Sequence, residues 1–237
     1  MKRLAIMAVS ALILAAGLSA EVQKKAAVIK AADGVDLKVT YFSPGIPGPA
    51  MLLLHQCNMD RHAWDGLAKD LAGAGFHVVT LDFRGFGESG GDKAQRENWP
   101  GDVDAAYAYL LAQKGVDKTH IAAGGASCGV TQSSDLATRH HEVKVLMFLS
   151  GQASDAARAY LAATPAIPVF GAASDGDTAA AKGINDAVGS SKNAHSTVKI
   201  YSGTEHGVPM FAKNPDLEPM IVTWLKTQMA PSGGGSH

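Results

Sequence analysis

The chain has 237 residues, 46% of them apolar and 18% charged, with a formal net charge of −1. That balance excludes intrinsic disorder and a coiled coil, and the lack of any Lys/Arg run argues against a nucleic-acid partner. Two cysteines, Cys57 and Cys128, are too few for a disulfide-dense scaffold and give neither CxxC nor zinc-finger spacing.

Residues 1–20 read as a secretory signal peptide. Lys2 and Arg3 form its charged start, an apolar stretch runs from Leu4 to Leu18, and Leu18-Ser19-Ala20 offers a small-residue cleavage site. The apolar run is short for a membrane span and no stop-transfer pattern follows, so the expectation is a secreted or periplasmic protein without a stable membrane span. Residues 231–237, Pro-Ser-Gly-Gly-Gly-Ser-His, read as a linker and the start of a tag. The remaining stretch, 21–230, is long enough for one domain with a sizeable core and too short for two of ordinary size.

Along that stretch, Ala26–Lys30 and Val35–Phe42 predict two strands about the turn Ala32-Asp33-Gly34. A breaker-rich loop follows at Ser43–Pro49. Met51–Leu54 is a short continuous apolar run, the mark of a strand buried on both faces. His62–Gly73 predicts a helix, with Trp64, Leu67 and Leu71 at spacings of three and four. Strands are then predicted at His77–Leu81, Ile121–Ala123, Val145–Leu149, Val169–Ala172 and Thr197–Tyr201. Helices are predicted at Val103–Gln113, Gly129–Arg139, Ala153–Ala162, Thr178–Val188 and Leu217–Met229. Strands alternating with helices imply an α/β fold: a mostly parallel sheet with helices on both faces and an antiparallel edge from the first two strands. Sites in such sheets form beyond the carboxyl ends of the strands.

After the strand ending at Ala123 comes Gly124-Gly125-Ala126-Ser127-Cys128-Gly129. Residues 125–129 fit G-x-S-x-G between a strand and a helix, the context of a nucleophile elbow. The turn must be sharp, and side chains at positions 125 and 129 would crowd its neighbours. Cys128 is a rival nucleophile, but centring the elbow on it would put Ala126 and the β-branched Val130 at the two positions that need minimal side chains. Ser127 is therefore the candidate nucleophile.

Leu53-Leu54-His55-Gln56, the run Asp82–Ser89 (Asp-Phe-Arg-Gly-Phe-Gly-Glu-Ser), Gly125–Gly129 and Glu205-His206-Gly207 together resemble the α/β-hydrolase fold, close to the dienelactone-hydrolase-like branch. The resemblance spans nearly all of the stretch 21–230, in the order nucleophile, acid, histidine. Dienelactone hydrolases carry a Cys nucleophile where this chain has Ser127. The resemblance implies His206 as the base, since the family's histidine sits in a loop after the last strand. It also implies an acid after Val169–Ala172. Asp175 and Asp177 both qualify, and Asp177 is favoured because it stands nine residues after Pro168, as in the family. The oxyanion donors would be the backbone N–H groups of Cys128 and of Cys57, the latter in His55-Gln56-Cys57, where the family usually reads His-Gly-X. His55 is then a structural histidine bracing the loop.

Both cysteines thus fall on the two expected oxyanion donors. Donors converging on one oxygen bring their Cα atoms within disulfide range, which predicts a Cys57–Cys128 disulfide, with two buried free thiols as the alternative. Asp82 and Arg84 are expected to form a buried pair shaping their turn. Trp64 is expected in the core, Trp99 either along the site or over the sheet edge, and Met59 and Met210 as pocket walls.

The resulting expectation is a serine hydrolase cleaving short-chain or small aromatic carboxylic esters through an acyl-enzyme, with no metal and no cofactor. A small-molecule ester would be its partner. Few residues separate Val145–Leu149 from Asp177, where a cap domain is often inserted, so no substantial cap is expected. The alternatives are a thioesterase or perhydrolase with the same triad, or a non-catalytic ligand-binding protein on the same fold.

Overall fold

The structure is a computed structural model, and it describes residues 21–230. The expected signal peptide and tag lie outside the described residues. Eight strands form one sheet: β1 (Gln23–Lys30), β2 (Asp36–Ser43), β3 (Gly48–Leu54), β4 (His77–Leu81), β5 (Val116–Ala126), β6 (Val143–Leu149), β7 (Val169–Ser174) and β8 (Thr197–Tyr201). Their order across the sheet is β1-β2-β4-β3-β5-β6-β7-β8. The pairs β1–β2 and β2–β4 are antiparallel, and every other pair is parallel. The early hairpin is thus an antiparallel edge, and the chemistry-bearing strands β3, β5, β6, β7 and β8 all run the same way.

The helices are α1 (Asp65–Gly73), α2 (Trp99–Leu111), α3 (Cys128–Arg139), α4 (Asp155–Ala163), α5 (Thr178–Ser190), α6 (Met210–Lys213) and α7 (Leu217–Gln228). They divide between the two faces according to the period-two alternation of the strands. On one face Leu52, Leu54, Ala123, Leu146 and Phe148 pack against Val103 of α2, Leu136 of α3, Leu161 of α4 and Ile184 of α5. On the other, Met51, Leu53, Ala122, Met147 and Leu149 pack against Leu67 of α1 and Ile221 and Leu225 of α7. This double burial is why the central strands read as continuous apolar runs.

Several boundaries differ from expectation for local reasons. The helix expected at His62 starts as a 3-10 turn at Arg61–Trp64, and α1 proper begins at Asp65. Trp99 and Pro100 open α2, ahead of the expected start at Val103. Proline suits a first helical turn, because the N–H it lacks would have no intrahelical partner there. Trp99 is buried and stacks on Phe83 with ring centroids 4.6 Å apart, so it belongs to the core and does not line the site. Trp64 is likewise core.

The expected pairing of Asp82 with Arg84 does not occur. The two residues follow β4 two positions apart and diverge to opposite layers. Asp82 accepts from the backbone N–H of Arg61 at 2.6 Å and from the Arg61 guanidinium, on the α1 side. Arg84 donates to both carboxylate oxygens of Asp102 in α2, Nε to Oδ2 at 2.7 Å and Nη2 to Oδ1 at 2.6 Å, and Nη1 donates to Asp33 at 2.7 Å. Arg84 is 2% exposed and Asp102 fully buried. The turn is therefore held by two separate buried ion pairs.

Replacing Arg84 with Ala would leave the Asp102 carboxylate buried without a partner, a change that costs about 3–5 kcal/mol. Urea denaturation at neutral pH should show a loss of that size for R84A. A loss below about 1 kcal/mol, the worth of a surface pair, would contradict the buried-pair assignment.

Candidate active site

The carboxyl ends of the parallel strands meet on one rim of the sheet, and each contributes one loop. β5 contributes Ser127. Its backbone has φ 52° and ψ −118°, a left-handed conformation that costs a non-glycine residue about 1–3 kcal/mol. Two glycines make the turn possible by close approach. A Cβ on Gly125 would lie 2.2 Å from the Gly129 carbonyl oxygen, and a Cβ on Gly129 would lie 2.2 Å from the carbonyl oxygen of Leu54 in β3. Real side chains do not tolerate such distances, so α3 starts directly on top of β3. The Ser127 N–H donates to Leu149 O at 2.9 Å, and its carbonyl accepts from Val130 N at 2.9 Å. The hydroxyl is thereby carried to the rim on a fixed backbone.

β8 contributes the loop holding His206, and β7 the loop holding Asp177. Nδ1 of His206 donates to Asp177 Oδ2 at 2.5 Å. In the neutral imidazole, a carboxylate acceptor at Nδ1 places the proton on that nitrogen and the lone pair on Nε2. His206 is 43% exposed and Asp177 20% exposed at the side chain. Asp175, the other acidic candidate, is turned elsewhere and accepts from the Gly203 N–H at 3.0 Å. Further bonds tie the two loops together: Asp175 N to Tyr201 O and Gly176 N to Gly203 O, each at 2.8 Å, and Ser174 Oγ to Glu205 O at 2.7 Å.

β3 contributes His55-Gln56-Cys57. His55 is fully buried. Its Nε2 accepts from Phe83 N at 3.1 Å, so Nδ1 carries the proton and donates to Gln56 O at 2.8 Å. Burial holds its imidazole below the usual histidine range. His55 is thus a neutral brace away from the reacting groups. Cys57 and Cys128 are joined by a disulfide, with Cα atoms 5.9 Å apart. The N–H of Cys128 is the first of α3, where no intrahelical acceptor exists. The Cys57 N–H makes no hydrogen bond to another described residue.

Ser127, Cys128, Asp177 and His206 share one cleft of about 300 Å³, whose other walls are Thr131, Ser150, Gly151, Gln152, Ala179 and Ala180. The expected pocket walls Met59 and Met210 are not among them. Met210 is fully buried and accepts from the Ser150 hydroxyl at 3.3 Å, while Met59 is half-buried outside the cleft. Ser150, which the sequence reading passed over, follows β6 directly and has φ 46°. Its place just after a strand was the only signal that could have found it, because a serine in left-handed backbone has no sequence signature. Between Leu149 and Asp177 the chain forms only α4 and β7, so no cap covers the cleft among the described residues. No group of three or more His, Cys, Asp or Glu among them is placed to hold a metal ion.

A family model described as the alpha/beta hydrolase fold matches residues 49–200. The chain belongs to the α/β-hydrolase family. An uncharacterized protein of Mycobacterium tuberculosis is 33% identical over 114 residues, 47% of this chain and 40% of that protein. The alpha/beta hydrolase domain-containing protein 17B of Xenopus laevis is 32% identical over 71 residues, 30% of this chain and 24% of that protein. The chain thus spans well under half the length of these curated relatives. Among solved structures, an esterase of Pyrococcus furiosus superposes with a TM-score of 0.67 at 16% identity, covering 88% of this chain and 92% of the other. The alpha/beta hydrolase GrgF from Penicillium sp. sh18 gives 0.69 at 15% identity, covering 88% and 100%. At such identities the likeness is one of fold.

Two outcomes follow for this α/β-hydrolase. Peptic digestion without reductant should release a Cys57–Cys128-linked peptide pair, and replacing both cysteines with Ser should lower stability by about 2–4 kcal/mol, since the bridge closes a long loop. Recovery of both thiols in alkylatable form would overturn the pairing. The second outcome concerns acid. The unfolded chain holds His55 near the ordinary value of about 6.5, above its folded value, so the unfolded state binds the proton first as pH falls. The stability His55 contributes is full above about pH 6.5 and is lost as pH drops toward the folded pKa. Urea melts from pH 7.5 to 5 should show stability falling, with a shallower slope for His55→Asn. His77, also buried and shifted downward by burial, remains in both proteins.

Proposed function

We propose that this α/β-hydrolase cleaves carboxylic esters through a serine-bound acyl-enzyme. The observation that carries the reading is the placement of Ser127, in strained left-handed backbone at the end of β5, in the same cleft as His206, whose Nδ1 is held by Asp177 at 2.5 Å. Strain of that kind at a rim position is characteristic of functional backbone.

In this mechanism Ser127 Oγ attacks the ester carbonyl carbon while His206 Nε2 takes the hydroxyl proton. The carbonyl π electrons move onto oxygen, and the N–H groups of Cys57 and Cys128 stabilise the resulting oxyanion. Collapse of the tetrahedral species expels the alkoxide, which receives the proton from His206, and leaves an acyl-Ser127 ester. Water, giving a proton to His206, then attacks that ester, and collapse of the second tetrahedral species releases the acid and expels Ser127 Oγ, which takes the proton back from His206. Asp177 keeps the proton on Nδ1 and stabilises the imidazolium formed in each step. The uncapped cleft and its small wall residues favour short-chain or small aromatic esters over long lipids. The motif set argues for the dienelactone-hydrolase-like branch with serine as nucleophile. The signal-like start and the disulfide both suit a secreted or periplasmic setting, where thiols oxidise.

Turnover of p-nitrophenyl acetate and butyrate tests the reading. Ser127→Ala and His206→Ala should each lose at least about 1,000-fold in kcat, and a fluorophosphonate should label Ser127 alone. Asp177→Asn should lose heavily, whereas Asp175→Asn, which keeps an acceptor for the Gly203 N–H, should stay near wild type. Ester turnover unchanged in Ser127→Ala, together with no labelling, would reject the hydrolase.

A further inference from the structure

Gln56 stands where the resembled family usually carries glycine. The residue is 2% exposed, although a glutamine in a rim loop would ordinarily extend into water. Both ends of its amide are engaged. Oε1 accepts from the backbone N–H of Val208 at 2.9 Å, across 152 positions of sequence, and Nε2 donates to Asn58 Oδ1 at 2.8 Å. Val208 is two residues beyond His206. Between them, Gly207 has φ 70°, and a Cβ there would lie 2.2 Å from Gln56 Oε1 and 3.2 Å from the Ala126 side chain. The His206 loop is therefore drawn down onto Ala126, immediately before Ser127, and a long amide side chain on one loop is matched by a missing side chain on the other.

The same dipeptide has further attachments. The Gln56 carbonyl accepts from His55, whose other nitrogen holds Phe83 N, and Cys57 is bonded to Cys128 beside Ser127. From the far side the His206 loop is fixed to the β7 loop through Ser174, Asp175 and Gly176. On the near side, the Gln56–Val208 bond is the direct polar tie from the β3 loop to the His206 loop among the described residues. Without it, the Val208 N–H would lose its acceptor, and the polar ties of the His206 loop to its neighbours would be those to Asp177, the β7 loop and, through Met210, Ser150.

We propose that Gln56 is a positioning residue that sets His206 at its working distance from Ser127 by clamping the N–H of Val208. The proposal rests on the serine-hydrolase reading for its kinetic consequence, but not for the clamp itself. Catalysis depends steeply on placement, with misplacement of about 1 Å worth as much as 100-fold in rate. Gln56 acts wholly through the histidine loop and touches no substrate.

The test compares wild type with Gln56→Met, which keeps the volume and removes the acceptor, and Gln56→Glu, which restores an acceptor for Val208 N–H. Asn58 is exposed and can turn its amide to donate to the new carboxylate. In p-nitrophenyl acetate hydrolysis, Gln56→Met should lose about 10- to 100-fold in kcat with KM within about threefold, and Gln56→Glu should recover most of the loss. Amide hydrogen exchange at Val208, followed by NMR under native conditions, should accelerate at least about tenfold in Gln56→Met and return toward wild type in Gln56→Glu. The Nδ1–H resonance of His206 should broaden in Gln56→Met only. Unchanged Val208 exchange, or a kcat within twofold of wild type in Gln56→Met, would overturn the proposal. So would a loss expressed mainly in KM. If wild type turns over no ester, the functional reading fails, and the exchange and Nδ1–H measurements still decide whether Gln56 clamps the histidine loop.

Discussion

The contact on which the site depends is between backbones. Gly129, in the first turn of α3, sits on the Leu54 carbonyl at the end of β3, and Gly125 sits under the Gly129 carbonyl at the end of β5. With no Cβ at either position, strand, helix and neighbouring strand close to distances that any other residue forbids. The turn between the glycines is sharp, and within it Ser127 takes positive φ. The same approach brings the start of α3 beside the loop leaving β3, which puts Cys128 within bonding range of Cys57. The Ser127 turn, the helix start and the disulfide thus share one close approach of backbones.

Charge is distributed in two tiers around that contact. Below the rim, Arg61 with Asp82 and Arg84 with Asp102 are buried and mutually satisfied, and His55 is buried and neutral. These groups shape the turn after β4 and the loop after β3 without facing the cleft. At the rim, Asp177 and His206 remain partly exposed and bonded to each other. Groups exposed there can exchange a proton with solvent, whereas the buried pairs would have to break, at a cost of several kcal/mol, to do the same. The separation explains why a chain with many Asp, Arg and His residues concentrates its candidate chemistry in one cleft.

The readable part of the site was the part with local constraints. G-x-S-x-G could be recognised because strand, sharp turn and helix follow one another in the chain. His206 and Asp177 could be placed on one rim because each follows a strand of a parallel sheet, where loops collect. Asp82 and Arg84 pair elsewhere than their spacing suggests, because proximity in sequence says nothing about the layer toward which a side chain turns. Their partners, Arg61 and Asp102, come from helical segments on opposite faces of the sheet. Gln56 was legible only as a departure from the family pattern. Its use, holding Val208 N–H, requires knowing that two loops 152 positions apart lie against each other.

The sequence by itself determined the alternation of strands and helices, the double burial of the central sheet and the sharp strand-to-helix turn at Gly125–Gly129. All of these follow from hydrophobic period and from glycine placed where crowding demands it. Only the tertiary structure decided that Asp177 and not Asp175 meets His206, that Cys57 and Cys128 are joined, that Trp99 is core, and that Gln56 reaches across to the histidine loop. Those outcomes depend on the direction in which side chains leave adjoining loops. That direction is set by sheet order and close packing between segments far apart in the chain, which no local pattern encodes.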